Sequence, residues 1–202
     1  MRKILLIISV TIFTLTVKAQ KKIIFGVKGG INITNMTSDY FVENNSKTGF
    51  HIGIVTEIPF GDKFSLQSEI LYSTHNAEGK VILDGVPYPG APAVPPFSEE
   101  YELNYIQVPV LAKIYLVKNL SLEIGPSFNF LIDDKEIFGS STRTDVGKNF
   151  EFSGVLGLSY KIKGGIFGSL RYVNGFSVAL DRDNYDEDAK NIGFQLGIGF
   201  MF

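Results

Sequence analysis

The sequence predicts an all-β fold: an eight-stranded antiparallel up-and-down transmembrane β-barrel. Three observations predict it. Eight segments alternate apolar and polar residues with a period of two, the pattern of strands with two unlike faces. In none of them does the apolar parity carry a charge, whereas Lys28, Glu57, Glu69, Lys113, Glu123, Glu151 and Arg171 all fall on the other parity. The connections alternate short and long, which puts tight turns on one rim and long loops on the other.

The N-terminal residues give an address. Arg2 and Lys3 precede an apolar run, 4–17, too short to cross a bilayer as a helix, and Val17-Lys18-Ala19 offers a small-residue cleavage site before Gln20. Residues 1–19 therefore read as a secretory signal peptide and residues 20–202 as one outer-membrane β-barrel domain. Removing Arg2, Lys3 and Lys18 takes the formal net charge from −2 to −5, which argues against nucleic acid as a partner. The chain has no cysteine, so disulfides, an acylated-cysteine anchor, thiolate metal sites and cysteine nucleophiles are all excluded.

The elements follow in order. Strand one, 23–33, sets Ile23, Phe25, Val27, Ile31 and Ile33 against Lys28 and Asn32. Strand two, 48–58, sets Phe50, Ile52, Ile54 and Ile58 against His51 and Glu57, and strand three, 63–74, sets Phe64, Leu66, Ile70 and Tyr72 against Gln67 and Glu69. Strand four, 103–116, opposes Ile106, Val108, Val110, Ala112, Ile114 and Leu116 to Gln107 and Lys113; strand five, 120–131, opposes Leu122, Ile124, Phe128 and Phe130 to Glu123 and Asn129. Strand six, 150–160, carries Phe150, Phe152, Leu156, Leu158 and Tyr160 opposite Glu151 and Ser153; strand seven, 166–173, carries Ile166, Leu170 and Tyr172 opposite Ser169 and Arg171. Strand eight, 191–202, closes the barrel with Phe194, Leu196, Ile198, Phe200 and Phe202 on one face and Gly193, Gln195, Gly197 and Gly199 on the other.

Periodicity leaves open which face points inward. A soluble lipocalin-like carrier turns the apolar set inside, and a membrane barrel turns it toward lipid. The connections favour the membrane barrel: 59–62, 117–119 and 161–165 are short, while 34–47, 75–102, 133–149 and 174–190 are long and polar. Both termini then lie on the short-turn, periplasmic side. Phe60, Phe64, Tyr160, Phe200 and Phe202 below, and Tyr72, Phe128, Phe150 and Phe152 above, would form interfacial girdles. Pro109 and Pro126 fall inside strands, where each removes a ladder donor, so bulges or shifted boundaries are expected there.

The run Tyr105-Ile106-Gln107-Val108-Pro109-Val110-Leu111-Ala112-Lys113, followed by Glu123-Ile124-Gly125-Pro126, resembles the PorT-like outer-membrane β-barrel family, often labelled "porin family"; so does Gly26-Val27-Lys28-Gly29-Gly30-Ile31-Asn32. The resemblance implies an eight-stranded barrel in a Gram-negative outer membrane. Some members of that family assist protein secretion, and the resemblance brings with it no catalytic residue.

An eight-stranded barrel is just wide enough for its own side chains. Lys28, His51, Glu57, Glu69, Lys113, Glu123, Glu151 and Arg171 are therefore expected to form a lumen charge network, since buried charges must be paired. Lys113 and Glu123 flank a short turn at nearly equal distance and are expected to pair, with Glu69 also in reach of Lys113. Such a network either plugs the barrel or lines a narrow porin-like path for ions or small solutes. The proline-rich tract 86–96 reads as an extended surface segment, passive or docking on a partner. Asp181-Arg182-Asp183-Asn184-Tyr185-Asp186-Glu187-Asp188 lacks the glycine and glutamate of an EF-hand and reads as a solvated acidic loop, with weak divalent bridging to lipopolysaccharide phosphates as the alternative. His51 and His75 are too few for a histidine metal site, and His51, which could meet a Glu across the lumen, reads as a polar lumen residue rather than a catalytic one. The expectation is a monomer that is not an enzyme and holds no cofactor or metal. Its partners would be outer-membrane lipid and lipopolysaccharide, and an envelope or secretion protein reached through the long loops.

Overall fold

The structure, a computed structural model, describes residues 22–37, 43–81, 97–139, 141–144, 146–180 and 189–202. The expected signal peptide, the proline-rich tract and the acidic loop 181–188 lie outside the described residues. The strands are β1 (Ile24–Thr37), β2 (Glu43–Pro59), β3 (Phe64–Val81), β4 (Phe97–Tyr115), β5 (Leu120–Phe138), β6 (Ser141–Arg143), β7 (Phe150–Lys161), β8 (Ile166–Gly175) and β9 (Lys190–Met201). Each neighbouring pair is antiparallel. Around the ring the order is β4, β3, β2, β1, β9, β8, β7, β5, and β5 returns to β4. Eight strands thus close the barrel, and β6 hangs on the outer end of β5.

Closure disposes of the free edges that so apolar a sheet would otherwise expose. Three four-residue turns, 60–63, 116–119 and 162–165, make one rim. Gly61 (φ +121°) and Gly164 (φ +90°) give two of these turns a left-handed backbone that a residue with a Cβ rarely adopts. The described ends of the chain, Lys22 and Phe202, share that rim, where the Phe202 N–H donates to the Phe25 carbonyl.

The apolar parity points outward. Ile54 and Leu196 are each 55% exposed and Ile198 65%, while the charged parity is buried throughout the wall. That orientation overturns the lipocalin-like carrier, which needs the opposite one. Aromatic rings pair along both rims of the apolar band, among them Phe60 with Phe64 on the short-turn side and Phe50 with Tyr72 and Phe130 with Phe150 on the other. Among the described residues no helix is long and apolar enough to cross a membrane.

Two expectations are corrected. Pro109 and Pro126 produce no bulge: Pro109 lies opposite Ser127, and pairing resumes in the same register at Ala112 and Ile124. Each proline deletes a donor, and the registers on either side hold the strand straight through the gap. The irregularities lie higher, at Ser46/His51 between β2 and β3 and at Asn104/Tyr105 between β4 and β5, where Ile132 is the extra residue. The strands also run past the expected ends on the long-loop side. β2 to β5 have 17, 18, 19 and 19 residues, against 12, 10, 12 and 14 in β7, β8, β9 and β1. At about 3.4 Å per residue, one wall stands roughly 20 Å taller along the strand than the other.

Candidate functional site

Inward residues belong to one parity per strand, so the interior is a stack of side-chain layers set by register. At mid-height Arg171 of β8 reaches across the barrel to β3, which lies diametrically opposite in the ring. Its Nη1 and Nη2 donate to Glu69 Oε2 and Oε1 at 2.8 and 2.6 Å, a bidentate pair, and its Nε donates to Glu123 Oε2 at 2.7 Å. Three further bases and a third acid extend the cluster, with Lys113 as the link. Lys113 lies 3.3 Å from Glu123, its direct cross-strand neighbour, and 3.5 Å from Glu57, and it donates to Gln67 Oε1 at 2.8 Å. Lys28 lies 3.5 Å from Glu69. Lys161, at the short-turn rim, closes on Glu57 at 2.9 Å, and the same carboxylate accepts from Ser65 Oγ and the Tyr115 hydroxyl.

Glycines make room for these long side chains. Gly157 is the register partner of Arg171, and a Cβ there would stand 2.6 Å from Arg171 Cγ. A Cβ on Gly197 would meet Lys28 Cε at 2.5 Å and one on Gly199 would meet the Phe167 ring at 2.4 Å. The inward glycines of the closing strand are thus sockets for cations and rings from facing strands, in a space too narrow for two side chains.

The eight residues singled out in the sequence all face inward, but they do not form one unit. Lys28, Glu57, Glu69, Lys113, Glu123 and Arg171 are joined by ion pairs. Glu69 turns to Arg171 and Lys28, and Glu57 takes the place beside Lys113 that was expected for it. His51 sits above this network, its Nδ1 2.8 Å from Asn32 Oδ1. Asn32 Nδ2 donates to Phe50 O, Ser73 Oγ and Thr74 O, which fixes Oδ1 as the acceptor and Nδ1 as the donor. Glu151 stands higher still and bonds neutral groups: Asn191 Nδ2 at 2.6 Å, Ser153 Oγ at 3.0 Å and the Tyr105 hydroxyl at 3.2 Å. Lys161 and Tyr115 were missed. Both continue an inward parity already identified, Lys161 that of Glu151 and Ser153 one residue past the expected strand end, and Tyr115 that of Gln107 and Lys113 inside strand four; carrying the alternation to each strand's end finds them.

Apolar clusters lie at both ends of this interior. On the short-turn side Val55, Phe167 and Met201 pack together with Ile24. On the long-loop side Met36, Ala77, Tyr101, Leu103, Tyr105, Ala179, Leu180 and Ala189 form a larger one. Ala179 and Leu180 follow β8 and are drawn in by main-chain bonds: the Lys148 N–H donates to Ala179 O at 2.8 Å and the Ala179 N–H to Ala189 O at 2.7 Å. Asp134 Oδ2 takes the N–H groups of Val146 and Gly147 at 2.6 and 3.0 Å, tying the segment before β7 to β5. Among the described residues no cluster of three His, Asp or Glu side chains is arranged to hold a metal ion.

A closed ring of eight strands, charged inside and apolar outside, is an outer-membrane architecture, and comparison with known families decides it. Residues 18–181 match the family described as "Outer membrane protein beta-barrel domain". The chain belongs to this family. In fold this outer-membrane barrel is similar to Neisserial surface protein A, with a TM-score of 0.59 at 12% identity, over 90% of this chain and 100% of that one. It is likewise similar to Ail, the attachment invasion locus protein of Yersinia pestis, with a TM-score of 0.53 at 12% identity, again over 90% and 100% of the two chains. Ail in complex with the heparin analogue sucrose octasulfate gives 0.51 at 13% identity. At such identities the likeness is one of fold. Comparison with curated protein sequences gives no match.

Proposed function

We propose that this outer-membrane barrel is a monomeric, non-enzymatic binding module: its interior is a plug, and its tall wall, β2 to β5, offers the contact surface. The observation that carries the plug is Arg171, which crosses the lumen to Glu69 and fixes Glu123 on the way, with apolar clusters at either end. A continuous wet path would have to break these pairs, and each broken pair leaves an uncompensated buried charge. The contact surface is supported by the wall's height and by its outward face above the apolar band, where Glu78, Lys80, Glu100 and Glu102 replace aliphatic residues. The Tyr105 to Lys113 and Gly125-Pro126 motifs support a place among PorT-like barrels, and hence an envelope or secretion protein as the partner. A leader at 1–19 and periplasmic termini complete the reading, supported by the shared rim of the short turns and the described ends.

The test is single-barrel conductance in planar bilayers, with wild type and Glu69→Ala/Glu123→Ala compared. The plug predicts a silent wild type and a variant that is less stable yet still near silent. Ohmic steps in wild type, altered in amplitude by the double variant, would replace this reading with the narrow channel.

A further inference from the structure

Gly154 opens a recess in the lipid-facing wall. On β5, β7 and β8 three rows of outward residues lie one above another. The upper row is aromatic, Phe128, Phe152 and Phe176, with ring centroids 5.7 and 5.9 Å apart. The lower row is Ile124, Leu156 and Tyr172. Between them run Pro126, Gly154 and Asn174, a row with no side chain at its centre. The result is a groove of about 620 Å³, within the size range of small-molecule sites. A Cβ on Gly154 would stand 2.7 Å from Phe176 Cζ, so the Phe176 ring overhangs the recess. Main-chain bonds hold it there: the Phe176 N–H donates to Phe152 O at 2.8 Å, and the Phe152 N–H donates to Ser177 Oγ at 2.8 Å.

We infer that this groove binds an acyl chain of the outer-leaflet glycolipid, lipopolysaccharide, with the Asn174 amide hydrogen-bonding the chain's 3-hydroxyl or linkage carbonyl. The groove is continuous with the apolar band, so hydrocarbon is the medium that fills it. It runs from the aromatic row on the long-loop side to mid-wall, which is the outer leaflet; this step rests on the proposed orientation, with short turns periplasmic. Asn174, half-buried, brings two donors and an acceptor into an otherwise apolar lining. An amide at the edge of hydrocarbon needs a polar partner. A 3-hydroxyacyl chain carries one a few carbons from its headgroup, and Asn174 lies one row below the aromatic row at the long-loop side of the apolar band.

The chain contains no tryptophan, so one introduced residue reports alone. Leu156→Trp places the reporter in the groove, and Ile54→Trp places a control at the same height on the far wall. Each is reconstituted in vesicles of dibrominated phosphatidylcholine with rising fractions of lipid A. Lipid A should shield the groove reporter from bromine quenching at a several-fold lower mole fraction than the control. Adding Gly154→Leu or Asn174→Leu should bring the two curves together, with the boiling-dependent gel shift verifying that each variant still forms a barrel. Coincident curves in the parent would overturn the inference, as would a groove reporter quenched beyond the control without lipid A, which assigns the site to phospholipid. Shielding that rises with protein density and needs no lipid A would overturn it in favour of a second copy. The chain also lacks cysteine, so Lys80→Cys, labelled on intact cells by an impermeant maleimide, tests the orientation separately.

Discussion

Strand β4 obeys two opposite rules along its length. In its lower half Val108, Val110 and Ile114 face out and Gln107 and Lys113 face in. In its upper half Glu100 and Glu102 face out, and Tyr101, Leu103 and Tyr105 are buried inside. The parity never changes. What changes is the medium outside, hydrocarbon below and water above, and with it the side on which an apolar side chain is stable. The lower barrel is therefore held by ion pairs in its middle, and the upper one by an ordinary hydrophobic core around Leu103, Met36 and Leu180.

This contrast can be broken at its strongest point first. Arg171→Ala leaves Glu69 and Glu123 buried without their main partner and should cost about 3–5 kcal/mol, read as a lower urea midpoint for loss of the heat-modifiable form. Replacing Arg171, Glu69, Glu123 and Lys28 together with apolar residues of similar volume, which leaves Lys113 paired with Glu57, should restore most of it; if this quadruple variant is as unstable as the single one, pairing is not what the arginine supplies. Leu196→Arg, mid-wall and facing out, should cost roughly 2–4 kcal/mol in bilayers, whereas Glu102→Arg on the outward face of the tall wall should cost close to nothing. Equal effects at the two positions would erase the boundary between hydrocarbon and water drawn here. Gly157→Leu, facing in against Arg171 and the Leu170 carbonyl, should destabilise by about 1–3 kcal/mol through overpacking; the outward Gly154→Leu, which has only the exposed Phe176 ring to displace, should cost less.

The smallest effect belongs to the outer collar. Lys47 lies 2.9 Å from Glu78 and 3.2 Å from Glu100, bridging β2 to β3 and β4 above the apolar band. The hydrogen bond from Lys47 holds the Glu78 carboxyl below its usual range, and hydrogen bonds to Glu78 and Glu100 raise the Lys47 ammonium above its own. A depressed carboxyl stabilises above its unfolded pKa and loses that contribution as pH falls through the folded one; a raised ammonium loses its contribution as pH rises through the folded value. The collar should thus be intact at neutral pH and fail at both extremes, and Lys47→Ala should change stability by no more than about 0.5 kcal/mol, as exposed pairs usually do. A larger shift in the urea midpoint, or one that persists unchanged in acid where the carboxylates are protonated, would contradict that pairing.

The two rules also explain what could be read from the sequence. Where lipid lies outside, alternation and charge exclusion agree, and the eight strands, their order, their short turns and the inward facing of the eight residues expected in the lumen were legible. Higher up they disagree. Asn76, Glu78 and Lys80 on β3 are outward and polar while Ala77 is inward and apolar, so the strand seemed to end at Thr74. On β5 the extra residue Ile132 shifts the inward set from Asn129 and Leu131 to Asp134 and Glu136, and a fixed parity cannot follow such a shift. The partner choices inside were beyond reach for another reason: Glu69 meets Arg171 at a separation of 102 residues, across the width of the barrel. Cross-strand spacing finds neighbours such as Lys113 and Glu123, not side chains that meet from opposite walls.

That long reach bears on how the barrel is made. The seam joins β1 to β9, and the arginine that ties the middle together arrives on β8, after both of its carboxylate partners. An incomplete sheet without Arg171 would face hydrocarbon with Glu69 and Glu123 held only by Lys28 and Lys113, at 3.5 and 3.3 Å, and without the bidentate pair that joins the two walls. Entry into the bilayer and completion of the ring are therefore one event: the chain must be nearly all delivered before any of it can stay, and no half-built intermediate has a stable place in the membrane.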